Sequence, residues 1–341
     1  MDFINRALQE KTRAKTPSKS IDGNSLAKEL NIALAEFNLI LENRNSLLYK
    51  VKTFDDRQLI LKQTKSLTPK EINDEYNSLV YYNSLDIIGL KTPKAIKFLP
   101  EYNAYVMEFV AGENLNFQII GSNTNLMSTL KQTAPILAKL HMKEFVGASS
   151  IYHLNILFED LETDLLRFSK HEKRVLCKAK DSLIGHSFPV GYSYQDFSPL
   201  NLYFAEGVLT LIDPPRTKVE SFLFRDLATF SVGLRKALLL KNPRTLFFTK
   251  QHTDSMEVFI SRYIESLQVK TSVAPSEKIH TLFYLLVIQR LAEMIVFQNN
   301  KLQRLSKVTL KTRTISFLTV KYLRHEIHRI IRKTERLLKQ V

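Results

Sequence analysis

Apolar and polar positions alternate along the chain from about residue 35 to 62. LLYKV (47–51) and QLILK (58–62) repeat with the two-residue period of a strand, and FDDR between them has the composition of a hairpin turn. The period then lengthens. TPKEINDEYNSLVYYNSL (68–85) opens with Thr68 as N-cap, Pro69 at the first helical position and Glu71 three residues after the cap, so a helix is predicted there. AIKFL, bracketed by Pro93 and Pro100, and YVMEFV (105–110) read as two further strands. Beyond Gly112 the apolar residues recur at helical spacing, notably in LMSTLKQTAPILAKLHMKEF (126–145) and DLLRFSKHEKRVLCKAKDSL (164–183). Residues 190–213 interrupt this with two short strands, LYF and LTLI. From Ser276 onward there is neither Gly nor Pro, which predicts long helices. A strand-rich first third ahead of a helix-rich remainder predicts an α+β fold in two lobes, over 31–111 and 112–341. Residues 1–30 precede them as a basic extension; the mixture in TRAKTPSKS reads as mobile.

Composition narrows the classes of function. Of 341 residues, 44% are hydrophobic and 24% charged, enough for a sizeable core, and nine glycines exclude collagen-like and Gly-repeat architectures. A formal charge of +15 favours acidic partners: nucleotides, phosphorylated substrates, nucleic acid or an anionic membrane surface. The single cysteine, Cys177, excludes an intramolecular disulfide, and without CxxC or HExxH structural zinc has no support. MDFINRALQEKTRAK lacks the apolar core of a secretory signal, and LFYLLVI (282–288) falls short of the roughly 20 residues that span a bilayer. The expectation is a cytoplasmic protein, with peripheral attachment to a membrane as an added option.

The candidate chemistry lies in YSYQDFSPLNLYF (192–204) and LIDPPR (211–216). Asp196, Asn201 and Asp213 fall within 18 residues, with a strand–turn–strand between the last two. One reading is a pair of ordinary turns, since Asp before Phe-Ser-Pro or Pro-Pro often only ends a strand. The other is a site for magnesium and phosphate. If LYF and LTLI pair through AEG, Asn201 and Asp213 arrive at one end of a hairpin and offer oxygens that suit a hard cation. Asp196, a separate carboxylate, can then accept a hydroxyl proton. Phosphoryl transfer from ATP also needs a phosphate-binding lysine at a strand end and a glutamate to hold it. Lys62 closes LILK, and Glu75 follows 13 residues later on the predicted helix.

Taken in order, these motifs resemble the aminoglycoside phosphotransferase and choline kinase-like family of the protein-kinase-like fold, from about residue 38 to 235. LENRNSLLYKVKTFDDRQLILK is similar to the family's first hairpin with its strand lysine, NDEYNSL to its Glu-containing helix and VMEFVAGENL to its inter-lobe hinge. LAKLH (137–141), YQDFSPLN, LIDPP and RDLATF (225–230) resemble its Leu-Ala-x-Leu-His helix, catalytic loop, metal-binding segment and Asp-Leu-Ala signature. The resemblance implies a small antiparallel-sheet N-lobe with one helix and a larger, mainly helical C-lobe. It implies Asp196 as catalytic base, Asn201 and Asp213 as Mg2+ ligands, and Lys62, held by Glu75, on the phosphates of ATP. Arg44 and Asn45 of the phosphate-covering turn and Glu108 and Val110 of the hinge are the further nucleotide contacts. Asp226 braces the catalytic loop, and His141 packs.

Three positions depart from the family pattern. Tyr194 stands where His is usual two residues before the catalytic Asp, Pro214 follows the metal Asp, and ENRNS (42–46) has no glycine to bring its backbone against phosphate. The expected function is an ATP- and Mg2+-dependent kinase acting on a hydroxyl of a small molecule, sugar or lipid-linked glycan. The alternatives are a pseudokinase that binds nucleotide without turnover, and a protein kinase, against which little chain separates Asp213 from Asp226.

The last 41 residues hold 12 Lys or Arg and 2 Glu. Phe317, Val320, Leu323, Ile327, Ile330, Leu337 and Val341 repeat at helical spacing there, with Arg324, Arg329, Arg332, Lys333 and Arg336 largely off that line. Such a helix either packs its apolar stripe and solvates the rest, or presents a cationic face to an anionic membrane or another polyanion. Specific nucleic-acid binding is not predicted.

Overall fold

The computed structural model describes residues 20–42, 45–121, 125–149, 151–161, 168–241, 250–267, 274–304 and 310–339. They fall into two compact units, one within residues 2–136 and 199–218, the other within 137–198 and 219–341.

The first unit is built on a five-stranded antiparallel sheet in the order β1 (Leu34–Glu42), β2 (Ser46–Thr53), β3 (Gln58–Thr64), β6 (Ala104–Glu108), β5 (Ala95–Leu99). Alternation along these strands gives the sheet two apolar faces. On one, Val51, Leu59, Leu61 and Val106 bury against Leu26 of helix α1 (Gly23–Leu30). On the other, Tyr105 packs with Ile72 and Leu79 of helix α2 (Pro69–Ser84). Helix α2 starts as its sequence predicts. Thr68 accepts the Glu71 N–H, and the Glu71 carboxylate returns to the Thr68 N–H at 2.8 Å. Helix α1 corrects the expected extension over its final third. Asp22 caps it by accepting the Ser25 N–H at 2.7 Å, and Leu26 is fully buried. The remainder of that extension, residues 1–19, lies outside the described residues.

A second, three-stranded sheet in this unit has the order β4 (Leu90–Lys91), β10 (Val208–Leu211), β9 (Leu202–Ala205). Strands β9 and β10 form the hairpin predicted through AEG. Its two turn residues, Glu206 and Gly207, have φ of +50° and +78°, the left-handed pair that a two-residue hairpin loop requires. Helix α3 (Leu115–Ile120) belongs to the same unit, and α4 (Leu126–Lys143) starts in it and ends in the other.

The second unit is mainly helical: α5 (Ile151–Leu161), α6 (Lys170–Leu183), α7 (Phe224–Lys241), α8 (Lys250–Ser266), α9 (Ser276–Arg304) and α10 (Leu310–Leu338). It also holds a small antiparallel sheet, β7 (Phe145–Ser149), β8 (Phe188–Tyr192) and β11 (Glu220–Phe222), in the order β11–β8–β7. The helix expected to run to Phe145 therefore stops at Lys143, where the chain turns into β7. The core is aromatic, with Phe230 stacked on Phe259 at 4.8 Å between ring centroids and Phe224 edge-on to Tyr263.

Two expectations for the C-terminal helices change. The apolar run in α9 is longer than LFYLLVI alone suggests. Ser276–Asn299 is long and apolar enough to cross a membrane, with a mean hydropathy of 1.5, but 78% of its tested 18-residue window is buried inside the protein, where it serves as a core helix. In α10, Leu323, Ile327 and Ile330 are buried as the apolar stripe predicts, while the Phe317 side chain lies outside the described residues. Of the five basic residues noted beside that stripe, only Arg332 and Arg336 are exposed; Arg324, Arg329 and Lys333 are half-buried.

Gly191 in β8 sits where another backbone passes close by. A Cβ there would stand 2.3 Å from the Glu144 carbonyl oxygen, which accepts the Tyr192 N–H at 3.0 Å. Gly191→Ala should therefore destabilise the protein by at least about 1–3 kcal/mol through overpacking. Urea unfolding measures it, and an unchanged midpoint would show that β7 and β8 can separate freely.

Candidate active site

Register places the first components. Lys62 on β3 is directly opposite Tyr105 on β6, so both side chains leave the sheet on the face that α2 covers. Helix α2 brings Glu75 over them, and the Lys62 Nζ lies 2.6 Å from Glu75 Oε1. The Tyr105 hydroxyl donates to the same oxygen at 2.8 Å. Asp213, at the foot of the β9–β10 hairpin, forms an ion pair with Lys62 from another direction. Burial works against the ammonium, but the oxygens of Tyr105, Asp213 and Glu75 outweigh it and hold the Lys62 pKa well above the ordinary lysine value. Burial raises the Tyr105 phenol, which keeps its proton and acts as a donor.

The hairpin brings Asn201 and Asp213 to one end. Leu202 pairs with Leu211, and the Ile212 N–H donates to the Asn201 carbonyl at 3.0 Å. Asp213 has φ +55°, a left-handed backbone that costs most side chains and that Asp tolerates better than most. The segment after it is tied to α2, where the Ser78 hydroxyl donates to the Pro215 carbonyl at 2.7 Å. Among the described residues no three His, Cys, Asp or Glu side chains cluster as a metal centre would require. One carboxylate and one carboxamide at a hairpin foot do suit a hard cation whose remaining ligands are phosphate oxygens and water. The local charge agrees: Lys62 faces two carboxylates, so phosphate is repelled there unless a cation accompanies it.

The remaining nucleotide candidates are placed as follows. Arg44 lies outside the described residues. Asn45 is exposed, and its carbonyl accepts the Lys65 N–H at 2.7 Å and the Thr64 hydroxyl at 3.0 Å, which fixes the start of β2. Glu108 ends β6 with its carboxylate on the Lys94 N–H at 3.2 Å, and Val110 follows, half-buried.

In the second unit the loop carrying Asp196 is held by a buried carboxylate. Asp226, at the start of α7, accepts the backbone N–H of Tyr194 at 2.6 Å and of Gln195 at 3.0 Å. His141 Nε2 is 2.9 Å from Asp226, and His141 Nδ1 is 2.7 Å from the Tyr263 hydroxyl. Burial, then Asp226, raises the Tyr263 phenol, so it donates to Nδ1 and leaves Nε2–H to donate to the carboxylate. These bonds hold Gln195 at φ +65°, a conformation unusual for Gln. Asp196 then stands exposed, with Arg290 of α9 at 3.8 Å and Glu293 in turn bridging Arg290 and Arg225. Tyr105 and Arg290 were not singled out from sequence. Tyr105 was marked only by the alternation that put it on the face of β6 opposite Lys62, and nothing near Arg290 signalled its contact.

No protein-family model matches the sequence. No curated protein matches it either. Solved structures do. A choline/ethanolamine kinase family protein from Mesorhizobium loti superposes with a TM-score of 0.56 and 11% identity, over 88% of this chain and 92% of that one. The amicoumacin kinase hAmiN, in complex with AMP-PNP, Ca2+ and Ami, gives 0.55 and 10% over 90% and 94%. A thermostable mutant of the aminoglycoside phosphotransferase APH(4)-Ia gives 0.53 and 11% over 90% and 97%. The fold is thus protein-kinase-like and α+β, as the sequence motifs imply.

Asp226 generates a stability prediction. Asp226→Ala leaves one buried and one half-buried backbone N–H, and the buried His141, without their acceptor, at a cost of about 3–5 kcal/mol. A loss below about 1 kcal/mol on urea unfolding would mean that water replaces the carboxylate and the brace is dispensable.

Proposed function

We propose that this chain is an ATP- and Mg2+-dependent phosphotransferase that moves the γ-phosphate to a hydroxyl of a small molecule, sugar or lipid-linked glycan. The observation that carries the reading is the buried ammonium of Lys62, held between Glu75 and Asp213 with Asn201 at the foot of the same hairpin. The kinase names of the superposable structures, and the AMP-PNP in one of them, support it.

Glu75 and Tyr105 fix the Lys62 ammonium so that it can meet phosphate oxygens without searching for a rotamer. Asp213 and Asn201, at the foot of one hairpin, are the residues that would hold Mg2+, with Lys62 turned from Asp213 to the phosphate. Bound Mg2+ would supply neutralisation of the phosphate oxygens. Asp196, presented by the braced loop, accepts the acceptor's hydroxyl proton as its oxygen bonds to phosphorus and the bond to the leaving ADP oxygen breaks.

An ATP-consumption screen across hydroxylated metabolites, sugars and lipid head groups tests the reading. Mg-ATP binding without consumption of ATP in any arm would replace it with that of a nucleotide-binding pseudokinase. With a turned-over acceptor, Asp196→Ala should lower kcat by about 10²–10⁴-fold while Mg-ATP affinity stays near wild type. Near-normal transfer by that variant would remove Asp196 from the chemistry.

Lys62→Ala should weaken Mg-ATP binding strongly, and Glu75→Ala less so. Because Glu75 acts through Lys62, the double variant should bind little worse than Lys62→Ala alone. Fully additive losses, read by calorimetry, would show that the two side chains act on nucleotide separately.

A further inference from the structure

Part of the basic charge of α10 turns inward at Arg324, Arg329 and Lys333; the rest lies on its outer face. Between residues 319 and 339 the exposed positions are Lys321, His325, His328, Arg332, Arg336 and Lys339. They recur at intervals of three and four, so they form one line along the helix, with no acidic or apolar member. At about 1.5 Å per residue that line is roughly 27 Å long. Helix α6 lies beside it. Two pairs cross the seam: His328 meets the Glu172 carboxylate, and His171 Nε2 stands 3.4 Å from Glu335 Oε2. On α6, Lys170, Arg174 and Lys178 repeat every four residues next to His171, and all three are exposed. Two basic lines thus flank one seam in the second unit.

The carboxylates at the seam are already engaged. Glu172 accepts the Ser169 N–H at 2.8 Å and meets His328, while Glu335 is shared by His171 and by Lys339 at 3.0 Å. Asp181, near the end of α6, is the one other carboxylate of the two helices that reaches this exposed side. Among the described residues, Lys170, Arg174, Lys178, Arg332 and Arg336 enter no ion pair. Uncompensated like charges on one face repel each other, so an anionic surface that approaches them is attracted.

We propose that the outer face of α6 and α10 docks the protein on an anionic membrane surface, with lipid head groups against Arg174, Lys178, Arg332 and Arg336. A head-group layer asks only for a broad array of cations, which two helices packed side by side provide. A single-stranded nucleic acid would need aromatic platforms for its bases, and neither basic line holds an aromatic side chain. Because the lines hold no apolar side chain either, attachment is electrostatic and reversed by salt, without insertion into the lipid. The surface does not depend on the phosphotransfer reading, since none of its residues belongs to the candidate active site.

The test is co-sedimentation of the full chain with phosphatidylcholine vesicles, pure or containing about 30% phosphatidylserine. The protein should bind the mixed vesicles at about 0.1 M NaCl, leave them at about 0.5 M, and ignore pure phosphatidylcholine. Each basic residue near such a surface contributes about fivefold to binding, so changing Arg174, Lys178, Arg332 and Arg336 together to Gln should weaken it at least about a hundredfold. The urea midpoint should stay at the wild-type value, and exchanging Arg for Lys and Lys for Arg at the same four positions should retain binding. Changing Lys70, Lys131, Lys139 and Lys236 to Gln removes the same charge from exposed positions elsewhere, and should cost no more than about threefold. Absence of binding to the mixed vesicles, or equal binding to pure phosphatidylcholine, overturns the proposal. So does an equal loss in both Gln variants, which would leave only the net charge of the chain. A duplex DNA of random sequence that binds more tightly than the vesicles, through the same four residues, would assign the face to nucleic acid instead.

Discussion

An ammonium withdrawn from water must be surrounded by oxygen, and the first unit is arranged around that need. Lys62 is 14% exposed, and its partners come from three separate elements: Glu75 from α2, Tyr105 through Glu75 from β6, and Asp213 from the β9–β10 hairpin. Ile72, Leu79 and Tyr105 form the buried apolar contact between α2 and the sheet. Such contacts are non-directional and tolerate sliding. An ion pair at 2.6 Å does not, so it fixes which turn of α2 lies over which residue of β3. The same constraint reaches the hairpin, where Asp213 holds a left-handed backbone at the end of a register set by Glu206 and Gly207.

The second unit applies the same physics with the sign reversed. There the buried group is a carboxylate, Asp226, and its partners are two backbone N–H groups and a histidine. Because the bonds at 194 and 195 come from the main chain, they place no demand on the side chain at 194. Tyr194 is 1% exposed and meets Phe197 edge-on, so it is a core residue. This accounts for one departure from the family pattern. Any residue but proline can donate the N–H that Asp226 requires, and Tyr adds aromatic packing to it.

What was legible in the sequence follows the range of the interactions involved. Local signals are legible: the Thr68–Glu71 capping box, the two-residue turn in AEG, and the alternation that puts Lys62 on β3. The strand pairings among β7, β8 and β11 were not, because each strand is short and its partner lies far along the chain. Helix α1 was missed for another reason. A cap at Asp22 and one buried Leu26 are weak marks inside a basic stretch, and it is the sheet beneath that stabilises so short a helix. The candidate residues with motif spacing are visible in the sequence, whereas Tyr105 meets Glu75 in the first unit, and Arg290 meets Asp196 in the second, only through tertiary contacts.

The basic C-terminal helix shows where counting charge along a sequence stops short of describing a surface. Its +10 excess suggests a cationic face, but the 3.6-residue period places Glu326, Arg329, Ile330 and Lys333 on one inward stripe. Long cationic side chains at the edge of an apolar stripe bury their stems, and a carboxylate as deep as Glu326 draws the guanidinium groups of Arg235 and Arg329 after it. Charge committed in this way adds little to the field outside the protein.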